Sequence, residues 1–247
     1  MPRYFIRLSY NGTAYNGWQS QPHKGTKTVQ TTLDDAISTL LRSQVNLVGC
    51  GRTDTGVHAM DYFAHFDIEK KIKVDELTYK VNKLLPGDIA VQKFILVSDQ
   101  AHTRFDAISR SYQYHLHTQK SPFNTNSFYY KYDTPDIEIL NQAAKILFDY
   151  SDFATFCKLK SDVLTTECSI LESYWVKDGD KYTYYIKADR FLRGMIRLVV
   201  GMCLNVSRGK LKLDEVKKAL ESKTRTGHDW SVPPEGLFLY DIRYPYL

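Results

Sequence analysis

Gly51-Arg52-Thr53-Asp54-Thr55-Gly56-Val57-His58-Ala59 separates two apolar runs, Val45–Cys50 and Tyr62–Ile68. A guanidinium, two hydroxyls, a carboxylate and an imidazole sit within it. One reading is a hairpin turn, in which Gly51 and Gly56 supply backbone angles that other residues avoid and Asp54 and the threonines bond their own backbone. Length argues against it. Hairpin connections take about two to five residues, whereas this loop has about ten and carries an Arg two residues before an Asp.

The flanking chain frames the loop. Tyr4, Ile6, Leu8 and Tyr10 alternate with Arg3, Phe5, Arg7 and Ser9, which predicts a strand with one apolar face. Asn11-Gly12-Thr13 ends it, and a polar loop, Gly17–Pro22, follows. Thr28 is placed to cap a helix with apolar positions Val29, Leu33, Ala36, Ile37, Leu40 and Leu41. Val45–Cys50 reads as a strand into the loop, and Tyr62, Ala64, Phe66 and Ile68 alternate on the strand that returns. Val74, Leu77, Val81 and Leu84 have helical spacing, Pro86-Gly87 stops that helix, and Ile89–Val97 is a further strand. The order β-α-β-β-α-β is that of the ferredoxin-like split unit.

The second half follows the same plan without a residue-level repeat. Arg110–Thr118 is a strand, Ile137–Phe148 a helix, and Ser169–Val176 with Tyr182–Ala188 a hairpin around Asp178-Gly179-Asp180. Phe191, Met195, Leu198, Val199 and Met202 define another helix, with Leu213–Glu221 and a strand Leu237–Tyr244 after it. The expected architecture is α+β: two ferredoxin-like (RRM-like) halves, 1–99 and 100–247, sharing a continuous antiparallel sheet and leaving a cleft.

Composition narrows the partners. The 247 residues carry a formal charge of +5 and 18 tyrosines, with 43% hydrophobic content. The sequence pI is near 8.8. A mildly basic, tyrosine-rich chain suits a polyanion. Cys50, Cys157, Cys168 and Cys203 show neither zinc spacing nor a disulfide framework. The start lacks the apolar core of a signal peptide, and the longest apolar stretch, Leu198–Leu204, is far too short for a bilayer. A cytoplasmic protein with no membrane partner is expected. There is no Gly-x-Gly-x-x-Gly after a strand, no P-loop and no His-Glu-x-x-His.

The nine-residue loop resembles the signature G-R-T-D-x-G-V-H-A of the TruA family of tRNA pseudouridine synthases. Tyr10-Asn11-Gly12-Thr13 with Gly17-Trp18-Gln19-Ser20-Gln21 is similar to that family's opening motif, and Arg110-Ser111-Tyr112-Gln113-Tyr114 to its R-x-Y-x-Y strand. His102–Ala107 resembles the segment that carries its basic residue. Phe191–Arg197 with Val200-Gly201 resembles F-x-x-x-M-x-R-x-x-x-G, and Glu235-Gly236-Leu237-Phe238-Leu239 resembles E-G-L-x-L. The likeness extends to Asn82–Pro86 and Asp152-Phe153. Cys168-Ser169-Ile170 departs from it, since many relatives carry R-x-I there.

The resemblance implies a pseudouridine synthase fold, a homodimer, and isomerisation of uridines at positions 38, 39 and 40 in the anticodon stem-loop of tRNA. It implies no metal and no cofactor. Pseudouridine formation breaks the N1–C1′ bond and rejoins the base through C5, which asks for a carboxylate, an aromatic platform and a cation. By resemblance Asp54 is catalytic, Tyr112 stacks on the target base, Arg104 is the basic residue upstream, Arg197 pairs with Asp54, and Leu237 packs beneath the base. Arg52 is grouped with the substrate-binding residues and is the alternative partner for Asp54. His58, four residues after Asp54, is expected to brace the loop, because one His and one Asp make too few ligands for a metal. Arg190, Arg193 and Arg197 fall at i, i+3 and i+7, the spacing of one helix face. Arg104, Arg110, Lys158, Lys160, Arg190 and Arg193 are expected to line a basic track. Two rivals remain: a non-catalytic RNA-binding protein of RRM-like units, although no strand carries the RRM aromatic motif, and a carboxylate-dependent N-glycosidase.

Overall fold

The structure, a computed structural model, describes residues 1–21, 25–157, 164–225 and 230–247. Pro22, at the end of the expected polar loop, lies outside the described residues. The chain divides into two compact units, Met1–Ile108 with Phe238–Leu247, and Ser109–Leu237. The division therefore falls after Ile108 rather than at 99, and the closing residues group with the first unit.

The first unit runs β1 (Arg3–Tyr10), α1 (Val29–Leu41), β2 (Val48–Gly49), β3 (His58–Asp67), α2 (Val74–Leu84) and β4 (Ile89–Val97). β1 lies between β4 and β3, antiparallel to both. The alternation in β1 places Tyr4, Ile6, Leu8 and Tyr10 in the core, and Val29, Leu33 and Ile37 of α1 with Leu77 and Val81 of α2 are buried as well. Phe5 is also buried, so the second face of β1 is not simply polar. Thr28 caps α1 in a capping box with Thr31.

β2 is far shorter than the expected Val45–Cys50 strand, and the cause lies in α1. Ser38 Oγ accepts from the Val45 N–H (2.9 Å), Asp34 Oδ1 accepts from the Leu47 N–H (2.9 Å), and Gln30 Nε2 donates to the Leu47 carbonyl (2.8 Å). Residues 30, 34 and 38 share one helix face. Their side chains satisfy backbone groups that a neighbouring strand would otherwise take. Val48 and Gly49 pair with β3, opposite His65 and Ala64, and the Cys50 N–H donates to the Phe63 carbonyl (2.8 Å).

The last strand, β9 (Leu237–Arg243), pairs with β3 through His58 opposite Phe238 and Ala59 opposite Leu239, and this pairing is parallel. The wholly antiparallel sheet expected from the sequence is therefore corrected to a mixed one. Parallel neighbours need a long connection, and residues 68–236 lie between these two strands.

The second unit holds β5 (Ser109–His117), β6 (Phe128–Tyr129), α3 (Ile137–Lys145), β7 (Ile170–Asp178), β8 (Lys181–Ala188), α4 (Met195–Ser207) and α5 (Leu213–Glu221). β8 lies between β5 and β7, antiparallel to both, and β6 adds to β5 in parallel. Tyr114, Tyr184 and Trp175 form a buried row across the three long strands. Asn141 of α3 fixes that row from the side: its Oδ1 accepts from the Trp175 N–H at 2.8 Å and its Nδ2 donates to the Trp175 carbonyl at 3.1 Å. The helix expected over Ile137–Phe148 is α-helical only to Lys145 and tightens into a 3-10 turn, Ile146–Asp149. α4 is apolar on nearly every side and buried accordingly. Among the described residues, no helix is long and apolar enough to cross a membrane.

Asp34 gives the first unit a pH dependence. Burial pushes its carboxyl up to about 6, against the Leu47 N–H that favours the anion. A carboxyl whose pKa is raised on folding binds its proton more tightly in the folded state, so its stabilisation is complete below the unfolded value and is lost as pH rises through the folded one. Stability measured by urea unfolding should therefore decline between about pH 4 and pH 6. Asp34→Asn, which keeps the acceptor for Leu47, should flatten that decline; an unchanged profile would contradict the assignment.

Candidate active site

The loop between β2 and β3 is held by the opening segment of the chain. The Tyr10 hydroxyl and Thr53 Oγ1 are hydrogen-bonded at 2.9 Å, directly beside Asp54. The Trp18 N–H donates to the Thr53 carbonyl (3.3 Å), and the Gly56 N–H donates to the Tyr15 carbonyl (3.3 Å). Two glycines make this approach feasible. Gly17 has φ 86°, and a Cβ on it would lie 2.4 Å from the Thr53 carbonyl oxygen. A Cβ on Gly12 would lie 2.0 Å from that of Val57. Both contacts are closer than any side chain tolerates.

Within the loop the Val57 N–H bonds back to the Asp54 carbonyl (3.2 Å), and Gly56 takes φ 78°. Thr53 and Val57 are buried, Asp54 is half-buried, and Arg52 and Thr55 are exposed. The loop thus buries Thr53 before Asp54 and Val57 after it and leaves Asp54 itself half-buried. His58 is a brace: it is buried, its Nδ1 accepts from the Gly12 N–H at 3.1 Å, and its ring stacks on Phe238 at 4.5 Å. That bond requires an unprotonated Nδ1. His58 and Ala59 are already strand, so the loop is shorter than its sequence suggests. At the other end the Tyr62 hydroxyl donates to the Gly51 carbonyl, and Trp18 stacks on Tyr62 at 4.1 Å.

A further tier supports the opening segment. The Asn11 N–H donates to the Asp88 carbonyl (2.9 Å), and the Tyr15 hydroxyl donates to Asp88 Oδ1 (2.6 Å). Burial and this carboxylate raise the Tyr15 pKa. Asn82, at the end of α2, exchanges two bonds with the Val91 backbone at 2.7 and 2.8 Å. Tyr10, Gly12, Tyr15, Gly17 and Asp88 carry this support. The motifs containing Tyr10, Gly12 and Gly17 were legible in the sequence, while the function of those residues as a cradle was not.

Arg104 lies on a turn of the first unit and is exposed. Its neighbour Thr103 is fully buried and donates to the Val48 carbonyl at 3.0 Å, on the strand that enters the Asp54 loop. Those two segments are tied together within the unit.

In the second unit Tyr112 is half-buried on β5, its ring edge-on to Phe191 at 5.3 Å. Arg197 is half-buried in the first turn of α4, and its Nε donates to the Val232 carbonyl at 2.6 Å. The segment Trp230–Leu237 connects these places. A Cβ on Gly201 of α4 would lie 1.7 Å from the Trp230 carbonyl oxygen, and one on Gly236 would lie 2.4 Å from that of His115 on β5. The Tyr114 hydroxyl donates to the Pro233 carbonyl (2.8 Å). Burial raises the Tyr114 pKa well above its ordinary value, so it remains a donor. Leu237 is buried at the start of β9.

The shared helix face expected for Arg190, Arg193 and Arg197 does not form. Gly194 takes φ 75° at the N-cap, so α4 begins at Met195, and Arg190 and Arg193 precede it. Arg193 is exposed, Arg190 is half-buried, and Arg110 donates from Nη1 to the Asp189 carbonyl (3.0 Å). Lys158 and Lys160 lie outside the described residues.

A sequence model of the family described as tRNA pseudouridine synthase matches residues 7–106 and 143–245. The chain is 47% identical over 246 residues to tRNA pseudouridine synthase A of Parabacteroides distasonis, covering 99% of this chain and 97% of that one. It is 45% identical to the protein of that name from Bacteroides fragilis, over 98% of this chain and 96% of the other. Against the one from Bacillus subtilis the identity is 36%, over 96% and 97%.

The glycine contacts make a direct prediction. Gly17→Ala places a side chain in the left-handed region, at about 1–2 kcal/mol, and drives it into the Thr53 carbonyl. Chemical unfolding should show at least that loss of stability, and hydrogen exchange at the Gly56 and Val57 amides should accelerate. Wild-type stability and exchange in this variant would contradict the packing of the loop.

Proposed function

The chain belongs to the tRNA pseudouridine synthase family, and on that premise we propose that Asp54 is the catalytic residue of an enzyme acting on positions 38, 39 and 40 of the tRNA anticodon stem-loop. The enzyme is an isomerase that converts uridine to pseudouridine in tRNA. The observation that carries the assignment of Asp54 is its loop, which buries Thr53 and Val57, leaves Asp54 half-buried and is fixed by Tyr10, Gly12 and Gly17. A group that must meet one carbon of a ribose or base benefits from such fixing.

In this reading the base leaves its stack and rests on Tyr112 with Leu237 beneath it, because a flipped base needs a new face. Asp54 acts as the anion, on the ribose C1′, on the base or on a sugar proton; each role needs an unprotonated carboxylate. The N1–C1′ bond breaks, the C5–C1′ bond forms, the C5 proton leaves, and N1 ends protonated. A bound base excludes water, which favours a neutral acid, and a cation within about 4–6 Å offsets this. Arg197 is assigned that part, with Arg52 as the alternative. Arg104, Arg110, Arg190 and Arg193, with Lys158 and Lys160, are assigned to the RNA backbone. Each unit is read as ferredoxin-like, the first carrying the catalytic loop, and the protein as a cytoplasmic homodimer.

Incubating the purified protein with unmodified tRNA transcript, labelling pseudouridine with a carbodiimide and mapping by mass spectrometry tests the reading. Pseudouridine at positions 38, 39 and 40 is the expected result. Free uracil would indicate a glycosidase, and bound but unaltered tRNA would indicate an RNA-binding module. Arg197→Met should move the acidic limb of the pH–rate profile upward, and Arg197→Lys, which keeps the charge but not the fork, should move it less. A profile unmoved in both would transfer the part to Arg52.

A further inference from the structure

Phe105 is 74% exposed, on a turn whose next residue but one toward the N-terminus, Thr103, is fully buried. Single exposed apolar side chains are common on protein surfaces, so exposure alone decides nothing. The construction of the turn does. Thr103 is bonded to the Val48 carbonyl, and its own carbonyl accepts from the Tyr244 hydroxyl at 2.5 Å. Asp106 accepts from the His102 N–H and from the Tyr246 hydroxyl, both at 2.8 Å. His102 Nδ1 accepts from the Arg104 and Phe105 N–H groups, at 3.1 and 3.3 Å. The turn that carries the exposed ring is therefore fixed on both sides.

The ring is also backed. His102 lies 4.3 Å behind it, and the buried His65 stands edge-on to His102 at 4.7 Å. The Arg104 guanidinium lies 5.6 Å from the centre of the Phe105 ring. Burial lowers the pKa of both imidazoles, His65 to about 4, so the column behind the ring stays neutral beside that cation. A rigid, exposed aromatic ring with an adjacent guanidinium is the pairing that single-stranded nucleic acid uses, the base stacking on the ring and the phosphate meeting the charge.

We propose that the His102–Asp106 turn is a second nucleotide site, in which Phe105 stacks on an unpaired base of the RNA and Arg104 takes the adjoining phosphate. The turn belongs to the first unit and Tyr112 to the second, and the proposal rests on the reading of the chain as a tRNA-modifying enzyme. Stacking tolerates any base, so the site holds the strand rather than reading its sequence. Pre-fixing the turn lowers the ordering cost of binding.

The test is affinity of the full chain for unmodified tRNA transcript, by fluorescence polarisation across a salt series. Phe105→Ala should weaken binding by about 5- to 150-fold, the range of one lost base stack, with the salt slope and melting temperature of the wild type. Phe105→Leu should behave like Phe105→Ala, and Phe105→Tyr like the wild type. Arg104→Ala should flatten the log–log salt slope by about 0.7–0.9. Wild-type affinity in Phe105→Ala or Phe105→Leu would overturn the site while leaving the enzymatic reading intact, provided the wild type modifies tRNA. If the wild type neither binds nor modifies tRNA, both fail together. A fall in sedimenting mass on Phe105→Ala would make the ring a protein–protein contact and overturn the site.

Discussion

The Thr53 carbonyl rests against the α-carbon of Gly17, where a Cβ would be 2.4 Å away. The position of Asp54 depends on this contact, because Thr53 and Asp54 are consecutive and the same carbonyl also accepts from the Trp18 N–H. Gly12 repeats the arrangement at Val57, four residues further on. Between these points the Tyr10–Thr53 and Tyr15–Gly56 bonds close the frame. The support continues outward, from the opening segment to Asp88 and from β4 to Asn82 of α2. In the role proposed for Asp54, a displacement of about 1 Å costs about 100-fold in rate, and the contacts of the opening segment converge on the loop that carries it.

The second unit solves a similar problem with a different element. Its Trp230–Leu237 segment is pressed onto α4 at Gly201 and onto β5 at Gly236, so Arg197 and the strand bearing Tyr112 are fixed by one stretch of backbone. Again glycine marks the closest approaches. Because α4 is buried on almost all sides, the half-buried Arg197 is an exception in its first turn, and its Nε is aligned by the Val232 carbonyl.

Much of this was legible in the sequence. Hydrophobic periodicity locates the three long strands β1, β3 and β4 of the first unit and its two helices, and Thr28 reads as a cap because a hydroxyl precedes an apolar 3.6-residue pattern. The Asp178-Gly179-Asp180 turn fell between β7 and β8, with Gly179 at φ 59°. Val45–Leu47 alternated as a strand does, but the side chains of Gln30, Asp34 and Ser38 took its backbone bonds, and periodicity does not report such partners. The parallel pairing of β3 with β9 joins residues about 180 apart in sequence, beyond any local signal. The row Arg190, Arg193, Arg197 had helical spacing, yet a left-handed Gly194 started the helix too late to include the first two. For the site, the residue types were visible and the cradle was not, because a glycine's use as a contact surface depends on what approaches it.

The central claim is that this framework exists to present one carboxylate. Tritium release from C5-labelled uridine in tRNA, measured beside tRNA affinity for Asp54→Ala, tests it most directly. The account predicts a loss of release of about 100-fold or more, with affinity nearly unchanged because phosphate contacts carry the binding. Release within about tenfold of the wild type would contradict it, since a residue that contributes so little lies outside the range of a positioned catalytic group.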